Sequence, residues 1–213
     1  MSTLCVMLML VNGVVGDGKM PSHWDFEDAT VGKLPAGWTS AKTGKGEGSV
    51  WKVAEDKSAP NGPKVLAQTA AGPSSLFNLC VADKARFADL DLSVSFKAVA
   101  GKKDQGGGPC WRYQDADNYY VVRMNPLEDN FRLYKVVAGK RIELASADIA
   151  VAEGKWHTIR VVHKGNRIQC YLNGKLHLDA KDDTFKEAGK IGLWTKADAQ
   201  TYFDDFVIRK PGE

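Results

Sequence analysis

The stretch from Gly108 to Lys135 concentrates the side chains of this 213-residue chain that are best suited to recognising a polar ligand. It reads G-P-C-W-R-Y-Q-D-A-D-N-Y-Y-V-V-R-M-N-P-L-E-D-N-F-R-L-Y-K, with arginine at positions 112, 123 and 132. Along a β-strand, alternate side chains face opposite ways. Counting by two sets Cys110 and Arg112 against Trp111 and Tyr113. It sets Tyr119, Val121, Arg123 and Asn125 against Tyr120, Val122 and Met124, and Asn130, Arg132 and Tyr134 against Phe131 and Leu133. The apolar sets belong in a core, and the others line the outer face of one sheet. If the three strands are neighbours, Arg112, Arg123 and Arg132 converge beside Tyr119 and Tyr134. Guanidinium groups present rigid forks of donors, and tyrosine offers a flat ring with a hydroxyl. The pattern predicts a ligand face of Arg112, Tyr119, Arg123, Asn125, Arg132 and Tyr134, suited to sugar hydroxyls or acidic sugars. Trp194 joins it as a stacking platform if it is exposed there. The competing reading is an ordinary wet sheet face, whose arginines are neutralised internally by Glu128 and Asp129.

Catalytic patterns are sparse. Retaining glycosidases need two carboxyl groups about 5 Å apart, but adjacent Glu128 and Asp129 would point to opposite faces in a strand and could share one only in a turn. The four histidines, His23, His157, His163 and His177, have no metal-site spacing such as HExxH. For an enzyme, Glu128 and His157 are the first candidates. Asp25 and Glu27 meet Asp204 and Asp205 if the first and last strands are neighbours. Asp25 and Asp205 are then candidate ligands of a structural calcium ion, which needs six to eight oxygens; carboxylates bound to backbone donors are the simpler alternative.

These residues must be positioned by strands. Asp91–Lys97 alternates cleanly, with Leu92, Val94 and Phe96 on one face. Further strands are expected over 119–125, 130–137, 156–163, 167–172, 190–195 and 201–209. They are separated by turn signals at 106–109, 138–140, 165–166 and 173–174. A short helical turn is expected over 182–188. Short strands without intervening helices predict a sandwich.

The net charge of +3, with Lys and Arg interspersed among Asp and Glu, shows no basic stripe of the kind nucleic acids select. The run Leu4–Val11 is too short to span a bilayer, and no other stretch is long and apolar enough. It fits the apolar part of an export signal, with small residues near Gly16 and Gly18. Residues 1–18 are therefore expected to be a signal peptide and 19–213 one domain, secreted or periplasmic. Of the four cysteines, Cys80, Cys110 and Cys170 remain after such cleavage, so one disulfide at most is expected, with its pairing open.

The C-terminal half carries Gly154-Lys155-Trp156-His157-Thr158-Ile159, then Tyr171-Leu172-Asn173-Gly174-Lys175, Ile191-Gly192-Leu193-Trp194 and Phe203-Asp204-Asp205-Phe206. Together with Asp25-Phe26-Glu27 and Gly37-Trp38, this order resembles the concanavalin A-like lectin/glucanase superfamily. Within it, the resemblance is to laminin-G-like jelly rolls and to bacterial exported domains of the 3-keto-disaccharide hydrolase type. The resemblance implies an all-β, two-sheet antiparallel jelly roll whose concave face binds saccharide. A glycoside hydrolase or lyase acting on 3-keto-glycosides and a laminin-G-like protein interaction module are the alternatives it carries. The E-x-D-x-x-E strand of the superfamily's glucanases does not occur in this chain.

Overall fold

A computed structural model describes residues 23–209 and residue 211. The expected export signal lies outside the described residues. Two antiparallel sheets stack face to face. The first is built, in spatial order, from β13 (Lys175–Lys181), β12 (Arg167–Leu172), β11 (His157–Lys164), β6 (Leu90–Ala100), β15 (Gln200–Arg209), β4 (Lys64–Gln68) and β3 (Trp51–Glu55), with β1 (His23–Trp24) also paired to β15. The second runs β10 (Lys140–Asp148), β9 (Asn130–Val137), β8 (Asn118–Asn125), β7 (Gly107–Asp115), β14 (Gly189–Lys196), β5 (Phe77–Phe87) and β2 (Trp38–Thr43). Among the described residues no helix is long and apolar enough to cross a membrane.

The alternation of β6 sends Leu92, Val94 and Phe96 into the core between the sheets. Trp111, Tyr120, Val122, Met124, Phe131 and Leu133 meet them from the second sheet. Each such side chain, fully buried, contributes roughly 1.5–3 kcal/mol relative to exposure. The hairpin between β12 and β13 turns on Asn173 and Gly174, both at positive φ (50° and 80°), as a tight two-residue turn requires.

One expectation fails. Residues 182–188 form bends rather than a helical turn: Asp182 accepts from the Tyr120 hydroxyl (2.5 Å) and from Lys135 (2.7 Å), and Phe185 packs edge-on against Tyr120. These long-range anchors pin the segment in an irregular path. The three cysteines form no disulfide; each is a buried free thiol. Cys80 and Cys170 sit in the core between the sheets, whereas Cys110 lies on the opposite face of the second sheet.

The second sheet has a second apolar cluster on its outer face: Phe77, Leu79, Val81, Cys110, Tyr119, Val121, Tyr134, Val136 and Trp194. It exists because the sheet rolls. Thr43 of β2 and Tyr119 of β8 lie four strands apart, about 19 Å in a flat sheet at the usual spacing, yet their hydroxyls are 2.8 Å apart. Arg141 of β10 likewise reaches the rings of Phe77 on β5 and Trp194 on β14.

Candidate functional site

The outer, concave face of this rolled sheet holds most of the residues singled out by type and spacing. Strands β8 and β9 pair so that Arg123 lies opposite Arg132, Asn125 opposite Asn130 and Val121 opposite Tyr134. The face is not an open groove. Tyr119 and Trp194 are wholly buried, the indole donating to the Tyr119 hydroxyl (3.3 Å), and Tyr113 stacks on Tyr119. Trp194 therefore offers no exposed stacking platform, because the curl of the sheet closes over it.

Arg112 belongs elsewhere. Between Trp111 and Asp115, β7 carries extra residues relative to β8, and Arg112 itself sits at φ +43°. Such a bulge re-aims the side chains that follow it, so counting by two fails here. Tyr113 returns to the concave face, and the Arg112 guanidinium turns to the end of the sandwich. There it donates to the carbonyls of Ala88 (2.7 Å), Phe185 (2.6 Å) and Gly165 (2.8 Å). It ties three turns together and takes no part in the concave face.

The polar end of that face is built from β8, the turn after it, β9, β10 and the segment before β7. Arg123, only 1% exposed, donates to Glu128 (2.7 Å), which also accepts from Asn130 (3.2 Å). Partial burial pushes the Glu128 carboxyl up, but the hydrogen bond and charge of Arg123, with Asn130 and Lys196, outweigh it and hold Glu128 below its ordinary range. Asp104, fully buried, accepts from the Gly106 amide (2.6 Å) and from Asn125 (3.3 Å) and pairs with Lys196 (3.3 Å). Arg132, a third exposed, bonds Ser146 (3.1 Å) and approaches Glu143 (3.6 Å). The neighbouring Tyr134 hydroxyl raises its pKa, although the contact falls short of a formed hydrogen bond. Arg141 lies 4.4 Å from the Tyr134 ring centre, and Arg123 lies 6.0 Å from it. Buried Nε and Nη1 of Arg123, Nη1 of Arg141 and the Tyr134 hydroxyl meet no hydrogen-bond partner among the described residues. A buried polar group left unpaired costs about 1–3 kcal/mol, and these groups carry that cost together at one end of the face.

Arg141, Asp104 and Lys196 were not singled out by type and spacing. Arg141 stands at the start of an edge strand whose mixed residue types mark no face. Asp104 and Lys196 come from a loop and a strand end, and only the rolled sheet joins them.

The other candidates lie apart. His157, in the first sheet, is bonded to the Ala152 carbonyl (3.1 Å) and to Asn173 (3.1 Å). Asp205 is paired with His23 (2.7 Å), while Asp25 accepts from the Glu27 amide (3.1 Å). Among the described residues no group of three or more His, Cys, Asp or Glu is placed to hold a metal ion. A surface cavity of about 240 Å³ lies beside this first strand, lined by Trp24, Phe26, Asp28 and Trp38 among others; it gathers none of the arginines. Exposed large hydrophobics come singly from separate segments, Val31, Val50, Val99, Leu127, Ile142 and Leu176.

Known structures share this architecture. The carbohydrate-binding module CBM66 from Bacillus subtilis superposes with a TM-score of 0.66 at 20% identity, covering 82% of this chain and 96% of its own. A family 16 endo-glucanase from Bacteroides ovatus gives 0.60 at 14% identity, covering 88% and 99%. A putative glycosyl hydrolase from Parabacteroides distasonis gives 0.56 at 14% identity, covering 90% and 95%. At these identities the likeness shows the fold alone, a concanavalin A-like jelly-roll sandwich. A comparison with curated proteins finds no match. Residues 24–209, nearly the whole described chain, match the family described as the 3-keto-alpha-glucoside-1,2-lyase-like domain, and the chain belongs to that family.

Proposed function

We propose that this domain recognises a saccharide at the arginine-rich end of its concave sheet. The contacts come from Arg123, Asn125, Arg132, Tyr134 and Arg141, with Glu128 and Lys196 at the rim. The observation that carries the reading is the set of buried, unpartnered donors on Arg123, Arg141 and Tyr134. Sugar oxygens satisfy such donors, and the family and the fold lend the saccharide class. Tyr119 and Trp194, buried behind these residues, shape the site without touching the ligand. Arg112, spent on three carbonyls, is outside it. Export, supported by the apolar run Leu4–Val11, is part of this reading.

The test is calorimetric titration of oligosaccharides selected on a glycan array. Arg132→Ala is expected to weaken binding about tenfold, the worth of one good hydrogen bond at 1.4 kcal/mol, with an unchanged melting temperature. Unaltered affinity in Arg132→Ala and in Arg141→Gln would remove the site from this face.

A second reading rests on Glu128 as well as on the family. An ionised carboxylate beside unpaired guanidinium donors suits removal of a proton next to a ketone. On a 3-keto-glycoside, Glu128 would take the C2 proton, and the enolate charge would collect on the C3 oxygen facing Arg123 and Arg141. Expulsion of the C1 substituent would then form the C1–C2 double bond, the leaving oxygen taking its proton from water. Incubation with 3-keto-glycosides tests it: turnover lost in Glu128→Gln supports the reading, and no turnover by the wild type ends it.

A further inference from the structure

The charges around Tyr134 do not balance. Four cations converge there, Arg123, Arg132, Arg141 and Lys196, against three carboxylates. Glu128 is taken by Arg123 (2.7 Å), Asp104 by Lys196 (3.3 Å), and Glu143 is approached by Arg132 (3.6 Å). Arg141 is left over. It makes no hydrogen bond or ion pair among the described residues; its guanidinium lies over the rings of Tyr134 (4.4 Å), Phe77 (5.4 Å) and Trp194 (5.9 Å). Burial, together with the like charge of Arg123, lowers its pKa and outweighs the attraction of Tyr134, Asp104 and Glu128, none of which it contacts as a hydrogen-bonded or ion-paired partner. Aromatic faces attract a cation, but they accept no proper hydrogen bond from its N–H groups and do not neutralise its charge.

The chemistry of the missing acceptor follows. A neutral sugar hydroxyl accepts a hydrogen bond but brings its own donor into a place already crowded with donors. A carboxylate or sulfate oxygen is acceptor-only, carries the compensating charge, and matches the planar guanidinium fork. We propose that the site selects an oxyanion-bearing saccharide, with the oxyanion seated between Arg123 and Arg141 above the Tyr134 hydroxyl. The inference rests on the placement of the saccharide site at this end of the sheet.

The experiment pairs charged and uncharged forms of the same glycans. The full chain is applied at fixed ionic strength to an array of uronate and sulfated oligosaccharides. Their carboxyl-reduced and desulfated counterparts are printed alongside, with neutral glucans and fructans. The tightest binders are then titrated by calorimetry. The expected result is a loss of at least tenfold on removing the charge, and Arg141→Gln binding the charged form no better than the neutral one. Retention by uronates alone or by sulfated glycans alone tells which oxyanion is read. Equal binding of charged and uncharged forms, or binding confined to neutral glycans, overturns the oxyanion and leaves the saccharide reading standing. No binding to any glycan, by protein shown to be folded by circular dichroism, overturns both. The wild-type comparison does not depend on how Arg141→Gln folds.

Discussion

Replacing Arg112 by alanine is predicted to loosen one whole end of the sandwich, although the sequence alone points to this residue as a ligand contact. Its guanidinium serves the carbonyls of Ala88, between β5 and β6, of Gly165, between β11 and β12, and of Phe185, between β13 and β14. Hydrogen bonds to a charged group are worth about 1.5–3 kcal/mol each. The acceptors lie on surface turns where water replaces a lost donor, so a discounted value of about 1 kcal/mol each, about 3 kcal/mol in all, is appropriate. In a domain of this size each kcal/mol shifts the melting temperature by about 2–4 °C, which gives a fall of about 6–12 °C. Arg112→Lys should recover little, because one ammonium on a flexible stem does not span three carbonyls in different directions. Thermal unfolding followed by circular dichroism checks both variants, with Arg132→Ala as the surface comparison, expected within about 1 kcal/mol of wild type. If Arg112→Ala melts with the wild type while glycan binding disappears, the assignment of Arg112 as a structural tie is wrong.

Two buried titrating groups give opposite slopes of stability with pH. Burial raises the Asp204 carboxyl to about 6, despite its hydrogen bonds from the Asn61 and Asp205 amides; the native state therefore keeps a proton that the unfolded chain has lost, and stability declines as pH rises from about 4 to about 6. Burial, then Arg112, lowers His163 to about 4; its contribution is complete above the unfolded value of 6.5 and is lost as pH falls toward 4. Melting curves from pH 4 to 7 should show Asp204→Asn losing stability more steeply on acidification than wild type, and His163→Asn losing it less steeply. Burial pushes the thiols of Cys80, Cys110 and Cys170 well up, so a thiol reagent at pH 8 should label them only after guanidinium unfolding, and labelling at the native rate of an exposed thiol would contradict their burial.

β6 was legible in the sequence, and β5 and β10 were not. Leu92, Val94 and Phe96 alternate with Asp91, Ser93, Ser95 and Lys97, and this period of two identifies β6 directly. In β5, Phe77–Ala82 is buried at every position, because one cluster lies beneath the sheet and another above it. A strand covered on both sides reads as an unpatterned apolar run. β10 has the opposite difficulty: on an exposed edge it reads as a mixture of Ala, Ser and charged residues. The site suffered from both effects. Period-two counting works along β8 and β9, where the ladder is regular from Tyr119 to Asn125, and fails at Arg112, where β7 bulges. No local pattern announces that the Arg141 side chain reaches across to Trp194 of β14, so Arg141 could be found only from the rolled sheet.

That roll also constrains how a saccharide would bind, if it binds as proposed. The curl that brings Thr43 to Tyr119 closes the apolar half of the concave face, and Arg141 caps it from the other edge. On the proposed reading a glycan chain would therefore not lie along the whole sheet, as it would in an open groove lined with exposed aromatic rings. On this proposal it would meet the protein end-on, at the rim between Glu128, Arg132 and Lys196, the partly exposed members of the cluster. Recognition of that kind reads one or two sugar units and gains its strength from charge-assisted hydrogen bonds in a largely dry setting, where each is worth more than at the surface. Affinity should accordingly stop rising once the oligosaccharide is longer than those units, because further residues have no sheet to lie against.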